Sequence, residues 1–561
     1  MHLSQQDVQE LLVHAFITGG ANDMPTRKEA KANPVEWPHW HKAELKEIAD
    51  LIEQGTLEIV SADDPKVKGK KLYSMKLVLK KKPPANGEPE RYKARLCVRN
   101  FKNDLCENVF APVSRIETFR MLCAIAAERD LEMCHVDICQ AFGTAPLENP
   151  IAIHMPECMV ENDPSLEGKV IFVSRALYGL AVSPKAFNRH LDAKLRQMGY
   201  TPSGADPCLY MKGQGADAQF IICYVDDLCH VGNAAGKLEF RKLINIDTNP
   251  EGFKVRDYGE PTSFLGIEIS RNRAARTITL SQGKYIRDIC ERFNITTGKA
   301  PQTPMPHKLD LGALPDEHKL ADMTEFRSKV GALMYAAHCV RSDACGPVQQ
   351  FSRYLHAATP TMLTHLSSTL KYFLATAGIG LTYDGKKPGP VYGYSDADWA
   401  GDATTRRSTS GYVFMRNNAA VTWSSSLQPS VAHSTSDAEW RALSDCGREA
   451  LWLRKLEKDL TGVESLAPTQ LCDDNKGALK WATDPANHKK SKHIDISYNS
   501  IREQVVEFKN LIVKYVPTVD MLADPFTKNL LPGAFKDLFG KIFGLNKPLS
   551  PASPAHPSRG G

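Results

Sequence analysis

The tetrapeptide Tyr224-Val225-Asp226-Asp227 constrains this chain more than any other four residues. It lies between the apolar runs 220–223 and 228–231, so it reads as the tip of a strand-turn-strand. A purely structural two-residue turn favours Asn-Gly or Asp-Gly, whereas this one carries two adjacent carboxylates. Neighbouring ionised acids repel each other, and burial strips away the water that would screen them. A divalent cation resolves that conflict; a solvated surface turn is the alternative.

At 561 residues the chain is too long for one compact core, and roughly three to five structural units are expected. Hydrophobic content of 42% and charged content of 24% are those of a globular protein. No stretch reaches the ~18 apolar residues of a membrane span, and the first residues lack a basic segment followed by an apolar one. The expectation is an intracellular chain, in cytoplasm or nucleus, neither secreted nor membrane-bound. The fourteen cysteines form no C-x-x-C pair, and Cys123, Cys223 and Cys446 lie in apolar stretches, which favours reduced, buried thiols. His39 and His41 flank Trp40 without paired cysteines nearby and read as a helix-start cluster rather than a zinc site. The net charge of +5 hides an asymmetry, because residues 66–102 hold thirteen Lys or Arg against Glu88 and Glu90. Such a run points at phosphates, with a solvated strand face as the alternative.

Residues 1–35 are polar and weakly patterned, and residues 547–561 are rich in Pro and Ser, so both ends are expected to be disordered. Residues 76–98 read as a basic hairpin whose turn residues include Pro, Asn and Gly. Helical periodicity over 118–129 precedes a strand around Asp137. At 384–391 a Gly- and Pro-rich stretch marks a domain boundary. Short strands, a long helix from about 436 to 460, and alternating pieces to about 530 follow, which predicts a mixed sheet flanked by helices.

Asp137 is a lone acid in an apolar strand, and an unpaired buried carboxylate is costly without a cation. If its strand lies beside the 224–227 hairpin, Asp137, Asp226 and Asp227 converge. Oxygen-only clusters suit two hard divalent ions about 3.5–4 Å apart, the arrangement of phosphoryl-transfer sites.

A long series of ordered blocks narrows the reading further: YKARL (92–96), FAPVSR (110–115), VDICQAF (136–142), ALYGL (176–180), YVDD (224–227), FLGIEI (264–269) and GALMYAA (331–337). It continues with YSDADWAGD (394–402), RRSTSGYVF (406–414), SDAEW (436–440), DDNKGAL (473–479), KHIDISY (492–498) and ADPFTK (523–528). On these blocks the chain resembles the reverse transcriptase and ribonuclease H region of copia-type long-terminal-repeat retrotransposon Pol polyproteins. The resemblance implies an α+β protein: a right-hand polymerase of fingers, palm and thumb over 36–300, a helical connecting region over 301–390, a mixed α/β ribonuclease H-like domain over 391–530, and a tail over 531–561. It implies an RNA-directed DNA polymerase and a hybrid-specific endonuclease. The partners would be RNA template, DNA primer, RNA–DNA hybrid and dNTPs, with two Mg²⁺ or Mn²⁺ ions per site.

By position, Asp137, Asp226 and Asp227 resemble the polymerase metal ligands, Asp227 the least firmly, and Asp396, Glu439, Asp474 and Asp524 the four acids of the ribonuclease H site. Lys93 and Arg95 resemble fingers residues that grip a triphosphate, a task suited to a point charge and a fork. Phe142 resembles a steric gate against a ribose 2′-hydroxyl, with an ordinary core Phe as the alternative. Gly179 resembles the place where backbone packs on nucleotide or template, and Leu265-Gly266 a primer-grip turn or a plain β-turn. Asp402 and Asp473 are neighbouring acids without an assigned role, as are His493 and Asp495. Departures from the family pattern fall at 143–146, 181–187 and 341–343. They put substrate positioning in question and leave a second reading, a catalytically inactive nucleic-acid-binding relic.

Overall fold

The computed structural model describes residues 24–82, 91–99, 109–296, 298–309, 311–313, 318–464, 466–484 and 496–545. The fold is of the expected α+β class: an irregular, mostly antiparallel first part followed by a mixed sheet flanked by helices. The first part is organised by a six-stranded sheet in the order Val255–Gly259, Glu132–Ile138, Asp227–Gly232, Gln219–Tyr224, Leu209–Lys212, Thr201–Pro202. Every neighbouring pair in it is antiparallel. The helix Ile116–Arg129 lies within the core and buries most of its length; its Phe119 is fully buried, and truncating such a Phe to Ala costs about 3–5 kcal/mol.

The basic hairpin forms as expected, from Met75–Lys82 and Arg91–Val98. It packs on the helix Trp37–Glu53, where the buried Trp40 ring meets Tyr92 edge-on at 4.6 Å. His39 and His41 belong to the first turns of that helix.

The last part contains a five-stranded sheet in the order Ala419–Leu427, Thr409–Arg416, Tyr392–Asp398, Thr469–Asp473, Leu511–Tyr515. Its first three strands are antiparallel and its last two join in parallel. The long helix Thr435–Thr461 covers it, started by the Ser434 side chain accepting from the Asp437 backbone N–H and stopped by Gly462 in the left-handed conformation.

Three expectations change. Residues 27–32 form a short helix rather than a disordered segment: Thr26 and Glu29 make a capping box, and Arg27 pairs with Glu44, Glu157 and Glu161. The region 301–390 is not only helical, because Gly380–Asp384 adds a strand to Thr277–Ser281, driven by the alternating burial of Leu381 and Tyr383. The supposed tail begins with the helix Pro532–Ile542, whose Phe535, Leu538, Phe539 and Ile542 repeat at helical spacing and are buried.

Packing does not break at 384–391. One continuous core runs from Ile116 through the connecting helices to Phe543. At its centre the buried Arg120 guanidinium donates to the carbonyls of Val421 (2.7 Å), His338 (2.6 Å) and Cys339 (2.8 Å), binding both ends of the protein together. The departure at 341–343 falls on a core staple: Arg341 and Asp343 are fully buried, 2.7 Å apart, with Tyr372 donating to Asp343.

Candidate active sites

The first cluster is assembled by strand pairing. Asp137 stands opposite Asp227 in the antiparallel register, and the Ile138 backbone N–H donates to the Asp226 carbonyl at 2.9 Å, so all three acids meet at the hairpin tip. A two-residue hairpin needs positive φ at its first central residue. Here that residue is Val225, at φ 57°, a costly conformation for a β-branched side chain. Burial, and then the charge of Asp227, raise the Asp137 carboxyl above the usual carboxylate range. Burial, with Asp227 and Asp137 beside it, pushes Asp226 up to about 6. Asp227 differs from the other two: its Oδ1 lies 3.0 Å from His135 Nε2, and the His135 ring stacks on Tyr258 at 4.9 Å.

The candidate substrate residues surround this tip unevenly. Lys93 and Arg95 sit on the second strand of the basic hairpin, close enough for Lys93 to lower the Asp137 pKa and Arg95 that of Asp226. Phe142 is half-buried in a short 3-10 turn, edge-on to Tyr178 at 5.0 Å and to Phe187 at 6.0 Å, while Arg95 lies 5.2 Å above the Tyr178 ring. Gly179 has a reason of its own: at φ 85° a Cβ would come within 2.1 Å of the Val98 carbonyl, so the close backbone approach is to the basic hairpin rather than to a ligand. Leu265 (φ 50°) and Gly266 (φ 70°) form the turn between Ser263–Phe264 and Ile267–Asn272, and the Leu265 carbonyl accepts from Tyr335 at 2.5 Å. The preceding Phe264 meets His135 edge-on, which ties this turn to the acid cluster.

The second cluster draws one acid from each of four elements. Asp396 lies on the strand Tyr392–Asp398, Glu439 in the first turns of the long helix, Asp474 just beyond the strand Thr469–Asp473, and Asp524 at the start of the 3-10 turn Asp524–Phe526. Carboxylate oxygens of Asp396, Asp474 and Asp524 lie within 4.8 Å of one another. Glu439 faces the same space, and its buried Oε2 has no hydrogen-bond partner. Burial, then the charges of Asp473, Asp396 and Asp474, push Glu439 up to about 11, and burial with Asp396 pushes Asp524 up to about 7. An oxygen-only set in which Glu439 Oε2 and Asp524 Oδ1 are buried without a hydrogen-bond partner fits hard divalent cations. The Thr527 hydroxyl donates to Asp396, and the Thr518 hydroxyl to Asp474 at 2.6 Å.

Asp473 and Asp402 stand apart from this cage for visible reasons. Asp473 is fully buried, but its oxygens accept from the Ser395 hydroxyl (2.9 Å) and the Asn475 backbone N–H (2.8 Å). Asp402 pairs with Arg353 at 2.7 Å and accepts from Thr405. His493 and Asp495 lie outside the described residues. Sequence reading missed His135, whose signal was its place two residues before Asp137 on the same strand face. It also missed Lys528, one helical turn beyond Asp524: Lys528 Nζ is 3.0 Å from Asp524 Oδ1 and 3.5 Å from Asp396 Oδ1.

The sequence profile of the reverse transcriptase (RNA-dependent DNA polymerase) family matches residues 55–307. A retrovirus-related Pol polyprotein from transposon TNT 1-94 of Nicotiana tabacum is 32% identical over 533 residues, 92% of this chain and 39% of that protein. One from transposon RE1 of Arabidopsis thaliana is 32% identical over 507 residues, 90% of this chain and 34% of that protein. A solved foamy viral protease-reverse transcriptase in complex with double-stranded DNA matches with a TM-score of 0.47 at 13% identity, covering 85% of this chain and 69% of that one. The chain belongs to the reverse transcriptase family of copia-type retrotransposon Pol polyproteins. It spans little more than a third of the length of those two polyproteins.

Proposed function

We propose that this chain is an intracellular two-site enzyme: an RNA-directed DNA polymerase whose site is built on Asp137 and Asp226, joined to a ribonuclease H whose site is the Asp396–Glu439–Asp474–Asp524 cage. The observation that carries the reading is the cage, in which Asp396, Asp474 and Asp524 from three separate elements bring carboxylate oxygens within 4.8 Å of one another and Glu439 from a fourth stands beside them with a buried oxygen unpartnered. Folding would not sustain such repulsion for packing alone. Asp137 and Asp226 would hold Mg²⁺ or Mn²⁺ in the first site, and the four cage acids would do so in the second. Bound there, the ions supply charge neutralisation and activation of the attacking oxygen in phosphoryl transfer.

The chain's own residues have distinct tasks in this reading. Lys93 and Arg95 bind the triphosphate of an incoming dNTP, and Arg95 is held in place by its stack on Tyr178. Phe142, braced by Tyr178 and Phe187, presents its ring where a ribose 2′-hydroxyl would stand. His135 fixes the Asp227 carboxylate, making Asp227 a positioning residue at the tip rather than a ligand. The basic hairpin contacts backbone phosphates of RNA template and DNA primer, so binding is sequence-tolerant and weakens with salt. The cage cuts the RNA strand of the resulting RNA–DNA hybrid.

Retention of all seven acids speaks against the inactive-relic reading that the departures at 143–146 and 181–187 raised. A Cβ at Gly143 would meet Gln54 Oε1 at 2.6 Å, and Phe187 is buried against Phe142. An intracellular setting accords with the thirteen described cysteines, all free and most of them buried. Primer extension on an RNA template with Mg²⁺ or Mn²⁺ tests the polymerase: extension that Asp226→Asn abolishes is the expected result, and template binding without extension under either metal favours the relic.

A further inference from the structure

Among the described residues, Lys528 is the cation that reaches into the cage. Lys528 Nζ lies 3.0 Å from Asp524 Oδ1 and 3.5 Å from Asp396 Oδ1, and the adjacent Thr527 hydroxyl donates to the other oxygen of Asp396. Asp396 is 1% exposed and Asp524 8%, whereas the Lys528 side chain is 36% exposed. Its backbone is anchored, with the Lys528 N–H donating to the Asp524 carbonyl at 3.1 Å. The ammonium is therefore the mobile member of a fixed acidic pocket: a compact charge on a flexible four-carbon stem with open solvent on one side.

We propose that Lys528 is the resident cation of the cage, bridging Asp396 and Asp524 until a divalent ion binds and then swinging out to solvent, so that it sets the affinity of the site for metal. The inference rests on the metal-cage reading given above. Its physical basis is exclusion: an oxygen that a divalent ion takes at about 2.0–2.6 Å cannot also keep an ammonium at hydrogen-bond distance without strong like-charge repulsion. Exchange of one cation for another avoids ever leaving Asp396, Asp524 and Asp474 together without a counter-charge.

The test uses the full chain carrying Asp226→Asn, which silences the first site, with Mn²⁺ binding followed by electron paramagnetic resonance. Lys528→Met is expected to bind its tightest Mn²⁺ at least tenfold more strongly than this parent and to melt at a lower temperature without metal. Lys528→Arg, which keeps the charge, is expected to restore weak binding. Amine-reactive footprinting of the parent adds a direct view: Mn²⁺ should increase modification of Lys528 severalfold. Unchanged or weaker Mn²⁺ binding by Lys528→Met overturns the proposal, and so does footprinting of Lys528 that Mn²⁺ leaves constant or reduces, a measurement that stands even if Lys528→Met fails to fold. Asp396→Asn in the same background separates the two levels. If it binds Mn²⁺ as its parent does, the cage reading itself fails; if it loses binding while Lys528→Met changes nothing, only the exchange fails.

Discussion

The two acidic clusters of this chain are built by different means. At the hairpin tip, Asp137, Asp226 and Asp227 are half-buried, one of the three is turned toward His135, and the nearby cations are Arg256, opposite Asp137 on the neighbouring strand, and Lys93 and Arg95 of a separate hairpin. In the cage, Asp396, Glu439 and Asp524 are buried, four elements contribute one acid each, and the balancing cation, Lys528, comes from the same turn as one of the acids. The first site draws its charge balance from two places, Arg256 in its own sheet and the separate basic hairpin. The second is closed and carries its counter-ion with it. Under the proposed function, the difference would suit a site that admits a nucleotide and a primer end, as against one that grips a single phosphodiester.

The largest expected effect breaks the molecule into its two functions. Asp226→Asn should abolish primer extension while leaving hybrid cleavage, and Asp396→Asn should do the reverse. Outer-shell partners of a metal ligand are typically worth about 10- to 100-fold, so loss of a ligand should exceed 100-fold in the affected activity. The assays are primer extension and cleavage of a labelled RNA–DNA hybrid by the same preparations. Cleavage that survives Asp396→Asn would show that the cage was wrongly chosen.

Next in size is a contrast in pH dependence without metal. Glu439 holds its proton in the folded state up to about pH 11, whereas in the unfolded chain a Glu releases it near 4.3. Between those values the folded state binds more protons, so stability falls as pH rises, by up to about 1.4 kcal/mol per unit for each such group. Asp524, raised to about 7, and Asp473, raised to about 8, add to the fall until they too ionise. The melting temperature in chelator should therefore drop from pH 5 to pH 8, Glu439→Gln should flatten the drop, and saturating Mn²⁺ should remove most of it. A melting temperature that stays level or climbs over this range without metal would remove the basis for calling the cage strained.

A smaller effect sharpens the account of the first site. His135→Ala should reduce extension about 10- to 100-fold, the range for partners that orient a metal-site residue, and leave hybrid cleavage unaffected. His135→Gln, able to donate to Asp227, should recover part of the loss.

Much of this was legible in sequence because the acids sit in patterned settings. Asp137 stands out in an apolar strand, the 224–227 turn lacks the glycine that a structural hairpin would use, and the segment from about 436 to 460 reads as a long helix. What escaped was whatever depends on a second element. Gly179 invites a ligand-based reading until Val98 is seen against it. The Asp473–Asp474 pair gives no hint of which acid is captured, since Ser395 arrives from another strand. The helix Pro532–Ile542 did carry its own signal, phenylalanines at helical spacing, that composition near the chain end obscured. The boundary at 384–391 marks a change of local texture, yet Arg120 shows that the core ignores it.

The smallest effect concerns Val225, where the two sites differ in backbone rather than charge. A β-branched residue at φ 57° costs on the order of 1–3 kcal/mol, and glycine would relieve that while adding about 0.5–1 kcal/mol of unfolded-state entropy. Val225→Gly should therefore raise stability by about 1 kcal/mol, read as a higher melting temperature. Activity should move the other way, because Asp226 and Asp227 directly follow the strained residue and their alignment with Asp137 depends on a rigid tip. Extension should fall severalfold while cleavage at the cage, which shares no residue with this turn, stays constant. A variant that is both more stable and fully active would mean that the strain at the tip serves neither folding nor alignment, and the contrast between an adjustable first site and a fixed second one would have to rest on charge alone.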